Sequence, residues 1–194
     1  EDKKNIEILL YINEDDEYLS KYLSLFHRLP SVKVVVGPHQ SPSFSWNQLA
    51  RKAKHDLIVI MDGDLQHNPI YIKTLLKKFL SDKSDLVIAS RDFEKTQTKS
   101  LSLIRITFSR VLIFFLKLIF GKNYIDPMSG FFLFKKKIFF KNRNLFYGKG
   151  YKILADFIYN VPNLRISEVI IKFRSRKQGS RKIKLKILIL LIVF

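Results

Sequence analysis

Two aspartates one residue apart, Asp62 and Asp64, close an apolar run in the stretch LIVIMDGDLQHNP, residues 57–69. Carboxylates at that spacing on an irregular loop can turn toward one point, where a cation relieves their repulsion. With the amide oxygen of Gln66 they form an all-oxygen set that suits Mg2+ or Mn2+, ions often shared with a diphosphate. Gly63 between them allows a phosphate to approach the backbone closely. Taken alone, the same residues also fit a plain Asp-Gly turn after a strand. None of the four histidines, His27, His39, His55 and His67, has an evident acid–base partner in the sequence. His67 is the one beside the aspartates and reads as loop structure or as support behind the site.

The rest of the chain narrows the partner. Its 194 residues hold 35 Lys plus Arg against 17 Asp plus Glu, a formal net charge of +18, with 47% hydrophobic residues. That length fits one domain with a substantial core. The charge favours an anionic partner: nucleic acid, a phospholipid surface or a phosphorylated small molecule. No zinc pattern, RNA-recognition motif or helix-turn-helix supports the first of these. Cysteine is absent, which excludes disulfides and thiolate metal sites. The opening residues, EDKKNIEILLYINEDDE, carry no signal-peptide pattern.

The elements that must position the aspartates follow from periodicity. Residues 6–12 read as a strand, 15–28 as a helix, and 32–36 (VKVVV) as a second strand ended by Gly37-Pro38. Residues 43–54 read as a helix capped by Ser43 or Ser45. Residues 57–61 form a continuous apolar strand of the kind buried on both faces. A helix over 69–80 and a strand over 85–90 follow. This alternation predicts an α/β fold, a three-layer αβα sandwich with a mainly parallel sheet. Ligands of such sheets bind at the carboxyl ends of the strands, where Asp62 stands. Residues 101–120 are apolar but interrupted by Arg105, Arg110 and Lys117, so they suit a membrane surface or a buried helix better than a membrane span.

MDGDLQHNP resembles the aspartate motif of family 2 glycosyltransferases, in particular the dolichol-phosphate mannose synthase group. Further similarities run in order along the chain: INEDDE (12–17), ASR (89–91), RITFS (105–109), DPMSGFFLF (126–134), GYKILADF (150–157) and EVIIKFRSRKQGSRKI (168–183). The resemblance implies a GT-A type nucleotide-diphospho-sugar transferase fold over residues 1–182. It also implies inverting transfer of mannose or glucose from GDP-mannose or UDP-glucose to a polyprenyl phosphate. Asp62, Asp64 and Gln66 fall on the metal positions. Asn13, Glu14, Asp62, Gly63, Arg176 and Lys182 fall on the nucleotide-sugar side, the last two on a basic loop with Gly179 and Ser180. Arg91, Arg105, Ser109 and Ser129 fall on the lipid-phosphate side, and Asp64, Asp126 and Arg105 are implied to carry the reaction. A phosphate monoester acceptor is largely ionised at neutral pH, so no general base is required.

The chain departs from the family pattern on the side of the nucleotide base. Leu10 and Ile12 replace a proline and a tyrosine, and VVVGPHQSPSFSWNQLA has no acid where one is usual. That region also reads as short, with one strand reduced or missing, and Arg181 stands in the final loop at a usual serine. Residues 183–194 turn from alternating Lys and apolar residues to wholly apolar, and read as an interfacial anchor or the start of a cut transmembrane helix. The expected location is the cytoplasmic face of an anionic membrane. The competing reading is a degenerate relative that has lost donor binding and serves as a membrane-surface or partner-binding module.

Overall fold

The computed structural model describes residues 6–62, 66–91, 124–146, 153–172 and 189–193. In chain order the elements are β1 (Glu7–Asn13), α1 (Leu19–Phe26), β2 (Val32–Gly37), α2 (Pro42–Lys52), β3 (Leu57–Asp62), α3 (Tyr71–Ser81), β4 (Leu86–Arg91), β5 (Phe132–Lys135), α4 (Lys136–Asn142), α5 (Ile153–Asn160), β6 (Ile166–Ile171) and β7 (Ile189–Val193). The strands form one seven-stranded sheet in the order β2-β1-β7-β3-β5-β4-β6.

β3 shows why the sheet is buried on both faces. Ile58 and Ile60 point to one core, with Trp46, Leu49 and Ala50 of α2, Phe139 of α4 and Phe157 of α5. Val59 and Met61 point to the other, with Ile72, Leu75 and Phe79 of α3. A strand that alternates between two apolar layers has no polar face, which is why LIVIM reads as a continuous run. Trp46 meets Phe139 edge to face at 4.8 Å, a geometry aromatic rings favour. The expected three layers are therefore present.

The strand directions are more mixed than simple alternation of strand and helix suggests. β1, β2, β3, β4 and β6 run one way, while β5 and β7 run against their neighbours. Each reversed strand lies between two strands of the main direction, so the sheet is mainly parallel by orientation yet largely antiparallel by pairing. β7 is the less expected of the two. Where the apolar C-terminal residues read as an anchor or helix, Ile189–Val193 here form a strand between β1 and β3. β-branched and leucine residues serve a central strand as well as a helix, and a run this short does not distinguish them.

Local chemistry sets the element ends. The cap of α2 is Ser41, not Ser43 or Ser45: its Oγ accepts from the Phe44 amide at 3.4 Å and Pro42 takes the first helical position. Both predicted caps are instead buried inside the helix. α1 starts later than expected because the Asp16 carboxylate accepts from the Tyr18 amide at 2.9 Å, forming a turn first. At the N-terminal edge of the sheet, Asp85 accepts from Lys135 Nζ at 2.6 Å and from Arg165 Nε at 3.0 Å, fastening β4, β5 and the entry to β6.

Candidate active site

The sheet register brings three groups of predicted residues to one edge. Ile189 of β7 lies opposite both Tyr11 and Asp62, so β1 and β3 are level across it. Phe132 of β5 lies opposite both Ile60 and Ile88, so Asp62 and Ser90, each two residues on, are level across β5. Strands stand about 4.8 Å apart, which puts β1 and β4 each about 10 Å to the side of Asp62. Asn13 ends β1, Asp62 ends β3 and Arg91 ends β4.

At the β1 end, Asn13 is buried and its Nδ2 lies 2.9 Å from His39 Nδ1. Glu14 is exposed, with its amide donating to the Gly37 carbonyl at 2.8 Å. Tyr11 donates its hydroxyl to the Pro38 carbonyl at 3.0 Å. Burial pushes the Tyr11 phenol pKa up, and the Glu14 charge adds to the rise. The tyrosine expected one position later is thus replaced by one that holds the turn after β2. His39, a non-acidic residue, takes this place beside Asn13. Its signal in the sequence was only its place just past the second strand.

In the centre, the Asp62 side chain is exposed at the end of a buried strand. Its carboxylate lies against Gly130, so closely that a β-carbon on Gly130 would overlap Oδ2 and sit 2.8 Å from Cγ. Gln66 is half-buried beyond it, and His67 is buried with its ring 5.3 Å from that of Phe131. Gly63 and Asp64 lie outside the described residues. An exposed carboxylate and a nearby amide at a strand end are hard oxygen donors, so the described part of the set fits Mg2+ or Mn2+. Asp62 and Gln66 alone do not fix a coordination geometry.

At the β4 end, the turn over residues 124–130 carries Asp126 and Ser129. Asp126 is fully buried and receives Arg91 as a fork, Nε to Oδ2 at 2.6 Å and Nη2 to Oδ1 at 3.1 Å. Its carboxylate is therefore engaged by the guanidinium that the family pattern places on the lipid phosphate, and Arg91 keeps about a third of its side chain exposed. Ser129 is buried and donates to the Ala89 carbonyl at 2.7 Å while accepting from the Phe131 amide at 3.1 Å, so it fastens the turn to β4. Glu168 of β6 reaches the same turn, a contact that its place in the sequence does not announce. Arg105, Ser109, Arg176, Gly179, Ser180 and Lys182 lie outside the described residues.

A layered sheet with an acidic strand end, flanked by the Asn13–His39 contact on one side and an arginine–aspartate pair on the other, defines a GT-A type nucleotide-diphospho-sugar transferase fold. The chain belongs to glycosyl transferase family 2, whose model matches residues 1–141. It is similar to a dolichol-phosphate mannosyltransferase of Pyrococcus furiosus, 29% identical over 69% of this chain and 38% of that protein. A dolichol-phosphate mannosyltransferase of Mycosarcoma maydis is 28% identical over 71% of this chain and 47% of its own length. The chain thus spans less than half of either curated relative.

Among solved structures, the fold resembles glucosyl-3-phosphoglycerate synthase from Mycobacterium tuberculosis in complex with Mn2+, UDP-glucose and phosphoglyceric acid. The TM-score is 0.61 at 14% identity, covering 89% of this chain and 61% of that one. The same enzyme with Mn2+, UDP and glucosyl-3-phosphoglycerate gives 0.63, covering 90% and 62%.

Proposed function

We propose that this chain transfers a hexose, mannose or glucose, from a nucleotide-sugar to a polyprenyl phosphate, with inversion at the anomeric carbon. The observation that carries the reading is that Asn13, Asp62 and Arg91 end three strands along one edge of the sheet, Asn13 two residues and Arg91 one residue beyond the level of Asp62. Lateral spacings of about 10 Å on either side of Asp62 suit a nucleoside, a diphosphate and an acceptor phosphate in a row.

Asn13 and Glu14 would hold the nucleoside at the end of β1. Asp62, Asp64 and Gln66 would hold Mg2+ or Mn2+, which neutralises the diphosphate leaving group when bound. Arg91, with Arg105 and Ser109, would hold the acceptor phosphate, and a guanidinium suits an anion that must approach a second anion. An acceptor phosphate oxygen then bonds to the anomeric carbon as the bond from that carbon to the diphosphate oxygen breaks. The phosphate is largely dianionic at neutral pH, so no proton has to be removed. This agrees with an Asp126 carboxylate that is buried under Arg91 rather than open to act as a base. Arg176 and Lys182 would bind the diphosphate as cations. The net charge of +18 favours work at an anionic membrane, for which we propose the cytoplasmic face. Among the described residues no helix is long and apolar enough to cross a membrane.

The test is calorimetric binding of GDP and UDP with Mn2+ and again with chelator, on wild type and Asp64→Ala. Saturable binding of one nucleotide, lost with chelator and in the variant, is expected. It would be followed by transfer of the matching sugar to a polyprenyl phosphate. Folded protein that binds neither nucleotide would overturn the reading and favour a membrane-surface or partner-binding module.

A further inference from the structure

Arg91 is in the strand ladder, opposite Ile171 of β6, but its partner Asp126 sits on a turn outside it, since β5 begins only at Phe132. Ser129 fastens the far part of that turn to β4, and the part that carries Asp126 is held by a carboxylate distant in sequence. Glu168 stands opposite Ile88 in the β4–β6 register. Its Oε1 accepts from Ser90 Oγ at 2.5 Å, from the Ile125 amide at 3.1 Å and from the Asp126 amide at 3.4 Å. Its Oε2 accepts from the Ile125 amide at 3.0 Å. The residue whose side chain grips Arg91 thus has its own amide directed at Glu168.

We propose that Glu168 is the positioning residue of the guanidinium site. It fixes the backbone of residues 125 and 126, and through Asp126 it aims the Arg91 fork along the C-terminal edge of the sheet. Three observations converge on this. Hydrogen bonds to an ionised acceptor are about twice as strong as neutral ones, so one carboxylate can order two loop amides. Asp126 is fully buried, so its direction follows its backbone. Ser90, the neighbour of Arg91, is tied to the same carboxylate, which sets the start of the guanidinium's own chain and the place of its partner together. Glu168 acts through Asp126 and touches no reacting atom. The effect on acceptor binding rests on the transferase reading above; the effect on Arg91 does not.

The test uses protein labelled with 15N-arginine, with the Arg91 Nε–H resonance assigned by its loss in Arg91→Lys. In wild type this proton, held by Asp126, exchanges slowly with water. Glu168→Ala is expected to speed its exchange about tenfold or more, the scale of one charge-assisted hydrogen bond. Glu168→Gln, whose amide oxygen can still take the Ser90 hydroxyl and the Asp126 amide, should restore part of the protection. In the transfer assay the KM for polyprenyl phosphate should rise in Glu168→Ala with nucleotide affinity unchanged.

Arg91 exchange equal to wild type in folded Glu168→Ala would overturn the proposal. Should Glu168→Ala not fold, Glu168→Gln and Ser90→Ala decide: partial loss of protection supports it, and unchanged protection in both overturns it. A wild type that transfers no sugar refutes the enzymatic reading, while the Arg91 exchange still decides the role of Glu168.

Discussion

Replacing Gly130 with alanine separates the position of the Asp62 carboxylate from the stability of the fold. A β-carbon there would overlap Asp62 Oδ2, and would lie 2.8 Å from Cγ and 3.0 Å from Oδ1, against the 3.4 Å at which ordinary contact begins. The Asp62 Cγ must therefore retreat by at least about 0.6 Å. Metal–ligand distances are held to within about 0.2 Å, so the shift exceeds what a coordination sphere tolerates roughly threefold. Asp62 is exposed, so displacing its side chain costs the fold itself little. Gly→Ala at a compatible backbone position even stabilises by about 0.4–1 kcal/mol through the unfolded chain. The expected result is a loss of about 10- to 100-fold in Mn2+-dependent nucleotide affinity, on the scale seen when the support of a metal ligand is removed. The melting temperature should stay within a few degrees of wild type. Calorimetric titration of the nucleotide with Mn2+, paired with thermal melts, measures both. Unchanged affinity would show that Asp62 does not need its place beside Gly130. A large fall in melting temperature would show that the backbone, rather than the side chain, absorbs the contact.

Two further perturbations probe how the site's platform is built. The Arg165 hydrogen bond is the largest influence on Asp85; burial opposes it and Lys135 reinforces it, leaving the carboxyl well below the usual carboxylate range. A depressed folded pKa contributes stability above the unfolded value of about 3.9 and loses it as the pH falls toward the folded value. Asp85→Asn should therefore cost on the order of 1–3 kcal/mol at pH 7, with the gap to wild type narrowing at pH 3 in urea titrations; a gap independent of pH would refute the linkage. Leu191→Pro would remove a backbone donor from β7, opposite Leu9 on one side and Ile60 on the other. It should cost at least about 2 kcal/mol in a urea titration. A variant as stable as wild type would show that these residues do not hold the centre of the sheet.

Much of the fold was legible because its signals are local. The run LIVIM announced a strand buried on both faces, and Ile58/Ile60 and Val59/Met61 do divide between two cores. Helix boundaries were less so: Asp16 and Ser41 decide them through single hydrogen bonds that compete with neighbouring candidates. Of the candidate site, the sequence offered residue types and order, whereas the partnership of Arg91 with Asp126 was not visible in it. In sequence both fall on the reaction or acceptor side, and their mutual charge pairing requires knowing that residue 126 comes back beside β4.

The sequence by itself determined the two carboxylates at the end of an apolar strand, the alternation of strands and helices, and an excess of positive charge. Each depends on neighbours within a turn or a strand, where periodicity has physical meaning. Tertiary structure alone decided that β5 and β7 enter the sheet reversed and that Gly130 borders Asp62. It also decided that Glu168 takes the amides of a turn 43 residues earlier. Alternation states which side chains seek burial but not which strand supplies the neighbouring hydrogen bonds. That choice is made among distant segments competing for the same edges, and it is settled only when the whole sheet closes its ladder.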